Sequence, residues 1–141
     1  MYFTPRGLNE QEQRILDCST SQRFLELVIS NKSIPLFFEK HGIKTIAIAG
    51  ASHFGKCLVN VLKGSNISVC CFADKMYYRY TDGQYMGIPI VSYSEIGKDR
   101  TFDAIVVASN YYFNEITDQI LESGIPLECI LNINDILFGV E

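Results

Sequence analysis

A glycine-bounded turn between an apolar run and an amphipathic stretch most constrains the fold of this chain. The apolar run covers residues 45–49 and ends at Gly50, and the amphipathic stretch begins at Phe54 and closes before Gly64. A short uninterrupted apolar run is typical of a strand buried on both faces, as in parallel sheets. Gly50 permits a tight turn, and Gly55 permits close packing of the helix on the strand. The segment therefore predicts a strand–turn–helix unit.

The same alternation continues along the rest of the chain. Apolar runs predict further strands at residues 67–73, 88–91, 104–108 and 127–131, and helical periodicity predicts helices at 93–98, 113–122 and 133–137. Pro89 has no N–H for a ladder hydrogen bond, which predicts an edge strand. Alternating strands and helices indicate a parallel sheet covered on both faces. We therefore expect an α/β fold: a small Rossmann-like parallel sheet with helices on both faces, plus an N-terminal helical segment.

The first part of the chain has a different pattern. Helical signals predict three helices, over Glu10–Asp17, from Ser19 onward, and from Ser33 to Gly42. Ser19 and Gln22 have the spacing of a capping box. We expect an N-terminal helical extension at residues 1–43 and a Rossmann-like nucleotide-binding domain at residues 44–141. The helices of the extension either pack on that domain or form a homo-oligomer contact.

Composition restricts the partners of the chain. It has 141 residues, a formal net charge of −4 and no basic block, which argues against a nucleic acid or an anionic membrane as partner. No apolar run approaches the roughly 18–20 residues of a transmembrane helix. The N-terminus has no signal-peptide pattern. We expect a cytoplasmic protein with no nucleic-acid partner and no membrane partner.

The cysteines and histidines have no metal-binding spacing. The five cysteines are an odd number, and neither a CxxC pattern nor a His-containing metal motif occurs. Cys70 and Cys71 are adjacent within an apolar run, so we expect small, buried residues of a reduced protein. The sequence therefore predicts no metal site.

The glycine turn partly matches the phosphate-binding fingerprint G-x-G-x-x-G. In that motif, backbone N–H groups at the start of a helix face the phosphates, and the helix dipole favours an anion there. Ser52 occupies the place of the second glycine, where a side chain limits the approach of the backbone. The pattern predicts phosphate contacts from the turn residues Gly50, Ser52, His53, Phe54 and Gly55. The alternatives are a turn kept for packing and, for His53, an ordinary surface or core residue.

Polar residues after two other strands extend this candidate site. Asp74 follows the second strand, where an acidic side chain accepts hydrogen bonds from ribose hydroxyls. Ser109 and Asn110 follow a later strand. Ligands of open parallel sheets bind beyond the carboxyl ends of strands at the switch point, so we expect these residues around one crevice. A solvated loop position or a helix cap is the alternative for each of them.

The same turn overlaps a P-loop pattern. Gly50, Gly55 and Lys56 match G-x-x-x-x-G-K, but Cys57 stands where a P-loop needs Ser or Thr to hold magnesium. A P-loop NTPase is therefore disfavoured.

The loop at residues 76–86 is rich in tyrosine. It contains Tyr77, Tyr78, Tyr80 and Tyr85. Such a loop either covers the sheet edge or an oligomer contact, or places an aromatic face against a base.

Five segments occur in an order and spacing that resemble a known family. They are IAIAGASHFGK (46–56), VCCFADK (69–75), GIPIV (87–91), FDAIVVAS (102–109) and ILNINDIL (130–137). Together they resemble the N-terminal nucleotide-binding domain of bacterial sugar O- and N-acyltransferases and related polysaccharide-biosynthesis proteins. The resemblance implies a Rossmann fold that holds a UDP-linked sugar, with the Gly50 turn near the phosphates and Asp74 near the nucleoside. The hexapeptide-repeat part that performs acyl transfer in that family is not in this sequence.

Three functions compete at this point. The first is a module that binds a small-molecule nucleotide, a UDP-sugar or NAD(P), for surface-polysaccharide or sugar-nucleotide metabolism, without a complete catalytic apparatus. The second is a small NAD(P)-dependent oxidoreductase or a sugar-nucleotide dehydrogenase or epimerase relative. Its Tyr-x-x-x-Lys motif is absent, since Lys98 lies one residue too far from Tyr93. The third is a structural or oligomerising domain with no ligand. We expect the first.

Overall fold

The computed structural model describes residues 8–98 and 101–140. A six-stranded sheet runs through this part of the chain in the order β3-β4-β2-β1-β5-β6. The strands are β1 (Thr45–Ala49), β2 (Ser68–Ala73), β3 (Gln84–Tyr85), β4 (Ile88–Val91), β5 (Ala104–Val107) and β6 (Ile130–Asn132). All neighbours are parallel except β3 and β4.

The strand order reverses direction at β1. The chain passes from β1 to β2 and β4 on one side, then returns to β5 and β6 on the other side. This is the order of the Rossmann fold, in which the reversal opens a crevice at the carboxyl ends of the strands. The predicted fold class is confirmed.

Helices cover both faces of the sheet. They are α1 (Glu10–Ile29), α2 (Ile34–Lys40), α3 (His53–Leu62), α4 (Tyr93–Ile96), α5 (Phe113–Glu122) and α6 (Ile133–Leu137). Helices α1, α2, α3 and α6 contribute to one apolar core, and α4 and α5 contribute to the other. The first face therefore carries the N-terminal helices as well as α3.

Strand β1 supplies both cores by alternation. Ile46 and Ile48 belong to the core under α3, whereas Ala47 and Ala49 belong to the core under α4 and α5. All four side chains are fully buried. Successive side chains of a strand point to opposite faces, so a continuous apolar run is needed here rather than an alternating one.

The predicted break between the first two helices is wrong. Helix α1 is continuous from Glu10 to Ile29, and its capping box is formed by Asn9 and Glu12. Thr20 is fully buried, with its Oγ1 2.8 Å from Asn134 Oδ1 on α6. Packing on α6 therefore overrides the capping pattern at Ser19. Whether residues 1–43 and 44–141 form separate parts stays a prediction.

The edge of the sheet differs from the expectation. Pro89 lies on β4, which is not the edge, because the two residues of β3 pair antiparallel with it. Met86 and Gly87 have φ values of 55° and 75°, the positive values that a tight two-residue hairpin turn requires. On the other side, Leu127–Cys129 forms a 3₁₀ turn, so the last strand begins only at Ile130.

The paired cysteines are less buried than predicted. Cys70 and Cys71 are both half-buried at the margin of the core under α4 and α5. Their Sγ atoms lie 3.5 Å apart, a contact between thiols rather than a covalent bond.

Among the described residues, no helix is both long and apolar enough to cross a membrane.

Candidate functional site

A cavity of about 340 Å³ opens at the carboxyl edge of the sheet, where the strand order reverses. Its lining joins residues that follow β1, β2 and β5 with residues of α4 and α5: Gly50, Ser52, Asp74, Lys75, Met76, Tyr93, Ser109, Tyr112, Glu115, Ile116 and Gln119. Four of the predicted site residues thus line one cavity: Gly50, Ser52, Asp74 and Ser109. The predicted contacts of His53, Phe54 and Gly55 with a ligand stay predictions, since these residues lie outside this lining.

The two glycines of the turn pack against each other. Gly50 has a φ of +103°, which disfavours any side chain, and its N–H donates to Ala73 O at 2.8 Å. A Cβ on Gly55 would lie 2.7 Å from Gly50 O and 3.3 Å from Ile48 Cγ2. The backbone therefore requires glycine at both positions. This agrees with the tight turn predicted at Gly50 and the close helix packing predicted at Gly55.

Ser52 connects the turn to the opposite side of the crevice. Its Oγ donates to Ala108 O, just after β5, at 2.7 Å. It stands at the N-cap position of α3, yet its side chain makes no capping hydrogen bond to that helix. The N–H groups in the first turn of α3 are therefore not capped by Ser52, and they carry the positive end of the helix dipole.

Asp74 shapes the turn as well as lining the cavity. Its Oδ2 accepts from Ala51 N at 2.8 Å, and its Oδ1 accepts from Met76 N at 2.7 Å. The side chain is half-buried. Each carboxylate oxygen has a second lone pair, which leaves Asp74 able to accept from ligand hydroxyls as well.

Ser109 and Asn110, which follow β5, lie in different environments. Ser109 lines the cavity, and its Oγ accepts from Tyr112 N at 3.2 Å. Asn110 is almost fully buried and donates to Asp17 Oδ1 at 2.9 Å and Thr20 Oγ1 at 3.0 Å, both on α1. The prediction that Asn110 faces the crevice is therefore wrong, because α1 covers it.

Tyr93, at the start of α4, is a site residue that sequence reasoning missed. It lines the cavity although only 7% of it is exposed, and its hydroxyl has no hydrogen-bond partner among the described residues. Burial raises the pKa of the Tyr93 phenol, and the charges of Asp74 and Glu115 raise it further. The phenol therefore stays protonated and can donate a hydrogen bond.

One face of α5 was missed as well. Residues at helical spacing form this wall: Tyr112, Glu115, Ile116 and Gln119. The sequence predicts helix α5 itself. For the residues that line the cavity, their helical spacing is the one signal that the sequence offers. Spacing alone did not distinguish a wall of a cavity from a core or solvent face.

The described part of the cavity lining carries more acidic than basic charge. It contains the carboxylates of Asp74 and Glu115 and one amine, that of Lys75. Lys75 Nζ lies 3.8 Å from Glu115 Oε1, so the amine is partly neutralised by α5. The part of the lining beside Tyr93 and the carboxylates therefore suits hydroxyl groups better than phosphate groups.

His53 and Cys57 lie on the outer side of α3. His53 is exposed, and its Nε2 is 3.6 Å from Cys57 Sγ. Both line a groove against α1 rather than the cavity. Burial raises the pKa of the Cys57 thiol, and the Lys56 charge lowers it to a smaller extent. Cys57 therefore lacks the hydroxyl oxygen that a P-loop uses to hold magnesium, and its thiol does not ionise readily.

The tyrosine-rich loop covers the sheet edge in part. Tyr85 packs on Phe72 with ring centroids 5.0 Å apart, and Tyr80 packs on Tyr85 at 5.3 Å. Tyr77 and Tyr78 are exposed, and neither lines the cavity. Among the loop tyrosines, Tyr80 and Tyr85 thus favour the covering role over base stacking.

The fold and the crevice define a Rossmann-like α/β domain. Residues 42–131 match the family described as C2185-like, N-terminal, and the chain belongs to that family. A comparison with curated proteins finds no match.

Among solved structures, the chain is similar to the methyltransferase FkbM from Methylobacillus flagellatus KT. The identity is 20% and the TM-score 0.48, over 89% of this chain and 36% of that structure. The chain thus spans little more than a third of that protein's solved chain.

Proposed function

We propose that the crevice binds a nucleotide or nucleotide sugar, of the UDP-sugar or NAD(P) class, without a complete catalytic apparatus of its own. One observation carries this proposal: Gly50, Ser52, Asp74 and Ser109, from the ends of three strands, line one cavity at the reversal of strand order. Open parallel sheets bind their ligands at this position.

The chemistry around the cavity supports a definite arrangement. The phosphates are placed on the first-turn N–H groups of α3, where Ser52 makes no cap. The ribose is placed at the remaining lone pairs of Asp74. Tyr93 and Gln119 then supply hydrogen-bond donors for the rest of the ligand.

The metabolic setting is also a proposal. The five segments that resemble sugar acyltransferases and polysaccharide-biosynthesis proteins favour a ligand of sugar-nucleotide metabolism. We place the ligand in the domain at residues 44–141, with the helices at residues 1–43 as an extension packed on it.

A domain without a ligand is the second candidate. Ser52 Oγ and both carboxylate oxygens of Asp74 already have backbone partners. These bonds would give the turn a purely structural role. The oxidoreductase alternative is weaker, because its Tyr-x-x-x-Lys motif is absent and Lys98 lies one residue too far from Tyr93.

Ligand-induced stabilisation tests the proposal. Differential scanning fluorimetry with UDP, UDP-glucose, NAD, NADP and coenzyme A should raise the melting temperature for at least one nucleotide, because a ligand that binds only the native state stabilises it. No shift with any of them would favour the domain without a ligand.

The variant Tyr93→Phe sharpens this test. The lost hydroxyl has no partner in the part of the chain that the structure describes, so the free protein should keep its melting temperature or gain slightly. The affinity for the best ligand should fall roughly three- to tenfold, the equivalent of one hydrogen bond. Tyr111→Phe, in an exposed tyrosine outside the cavity, is the matched control. An unchanged affinity in Tyr93→Phe would contradict the proposed arrangement.

A further inference from the structure

We infer that α1 closes the crevice over Asn110 and the end of β6, so that the site takes ligands with a single nucleoside and excludes dinucleotides. This inference rests on the proposed nucleotide-binding function. It chooses between the two ligand classes that the sequence left open, the UDP-sugar and NAD(P).

A buried polar cluster fixes α1 over the end of β5. Asn110, three residues beyond the last residue of β5, is 1% exposed. Its Nδ2 donates to Asp17 Oδ1 at 2.9 Å and to Thr20 Oγ1 at 3.0 Å. Because Asp17 and Thr20 lie in the middle of α1, this helix passes directly across the carboxyl end of β5.

The same cluster extends over the end of β6. Asn134 Nδ2 donates to Asn110 Oδ1 at 2.8 Å, and Thr20 Oγ1 lies 2.8 Å from Asn134 Oδ1. Asn132, the last residue of β6, accepts from Asn134 N at 2.7 Å. All of these asparagines are buried. The space beyond β6 is therefore filled by these asparagine side chains and by the face of α1 that carries Thr20.

A second attachment holds α1 in this position. Arg23 Nε donates to Leu137 O at 2.9 Å, and its second nitrogen donates to Val140 O at 3.0 Å. The guanidinium also lies 5.6 Å from the Phe138 ring centroid. Moving α1 aside would break these bonds and leave the buried amides without partners, which is costly.

A dinucleotide needs the space that α1 occupies. In doubly wound sheets a dinucleotide crosses the point of reversal, with one nucleoside on each side. The cavity is lined from the ends of β1, β2 and β5 and from α4 and α5, and no residue of β6 or α6 lines it. One nucleoside with its phosphates fits this cavity, and α1 with the buried amides fills the space over Asn110 and β6 that a second nucleoside needs.

Titration calorimetry on the full chain tests the inference with UDP, UDP-glucose, AMP and NAD. We expect at least one of UDP, UDP-glucose and AMP to bind more tightly than NAD. NAD binding as tightly as every single-nucleoside ligand, or more tightly, would overturn the inference and leave the proposed function intact. No binding of any of the four would overturn the proposed function, and the inference with it.

A variant of α1 tests the cause of the exclusion. Thr20→Val keeps the shape of the side chain but removes its hydrogen bonds, and Gln11→Ala, exposed on the same helix, is the control. Loosening of α1 should raise the affinity for NAD about fivefold or more, because the competent fraction rises. Single-nucleoside affinities should not change.

Hydrogen exchange across residues 16–22 reports whether α1 has loosened. Faster exchange in Thr20→Val with no gain in NAD affinity would overturn the role of α1. If this variant does not fold, the wild-type ligand series decides.

Discussion

The carboxylate of Asp74, at the end of β2, accepts the backbone N–H of Ala51, two positions beyond the end of β1, at 2.8 Å. The glycine turn is thus held from the neighbouring strand as well as by its own glycines. An acid at this position has two roles that do not exclude each other: it fixes the turn and offers spare lone pairs to a ligand. Its replacement should affect the free protein as well as the complex.

The variant Asp74→Ala should lower the free energy of unfolding by roughly 1.5–3 kcal/mol without any ligand, because two backbone N–H groups lose a charged acceptor. Urea unfolding measures this change. Glu39→Ala, at an exposed acid of α2, is the control and should stay within about 0.5 kcal/mol of wild type. A stability of Asp74→Ala equal to that of the control would contradict the structural role.

Gly55→Val should destabilise the protein because a Cβ at this position meets backbone. The nearest atom, Gly50 O, would be 2.7 Å away, and it belongs to the other glycine of the turn. Overpacking of this kind costs roughly 1–3 kcal/mol. The melting temperature of the purified variant checks the prediction, with Lys56→Ala, exposed on the same helical turn, as control. A melting temperature equal to that of Lys56→Ala would count against the packed turn.

Asp103 should give the protein an acid-sensitive contribution to stability. Its Oδ2 accepts from Lys44 N at 2.8 Å and Thr45 N at 3.0 Å, at the start of β1. The hydrogen bond from Lys44 N, followed by that from Thr45 N, lowers the pKa of Asp103 below its ordinary value of 3.8. A lowered native-state pKa stabilises the fold at pH values above the unfolded-state pKa, and this stabilisation is lost as the pH falls through the native-state pKa.

The variant Asp103→Ala should therefore be less stable than wild type by about 1 kcal/mol at neutral pH, a modest value because the side chain is exposed. The difference should shrink below about pH 4, because the protonated wild-type carboxyl is a weaker acceptor for the two backbone N–H groups. Urea unfolding at a series of pH values measures it. A difference that is the same at the lowest and at neutral pH would mean that the charge of Asp103 has no part in it.

The local features of the site were predictable from the sequence. The strand, the turn and helix α3 are contiguous, so their apolar run and two glycines carry the whole pattern. The positions of Asp74 and Ser109 followed from strand order, since the carboxyl ends of parallel strands meet at one edge. The contiguous turn segment and the ends of the strands were therefore enough to predict part of the cavity lining.

The remaining features depend on packing between distant segments. Tyr93 and Glu115 line the cavity because α4 lies beside α5 on the same face of the sheet, which no local pattern records. The continuity of α1 depends on the contact between Thr20 and Asn134, separated by 114 positions. The same contact places Asn110 under α1 instead of in the crevice. A local capping pattern could not reveal these long-range hydrogen bonds between side chains.

Glu115→Gln should strengthen the binding of anionic ligands. Lys75 is the one cationic residue among the described residues of the cavity lining, and Glu115 Oε1 lies 3.8 Å from its Nζ. Removal of this carboxylate charge leaves Lys75 available to a phosphate and lowers the negative potential near Asp74. The pair is exposed, so the gain should be modest, about two- to fivefold in affinity for UDP.

Salt dependence distinguishes this electrostatic effect from a change in shape. The gain in affinity should be larger at low ionic strength. It should decline toward 1 M salt, where the Debye length is only about 3 Å. Glu122→Gln, an exposed acid at the end of α5, is the control and should leave the affinity for UDP unchanged. Calorimetric titration of both variants with UDP at two salt concentrations makes the comparison. Weaker binding in Glu115→Gln at both concentrations would show that Glu115 accepts a hydrogen bond from the ligand instead of competing with its phosphates.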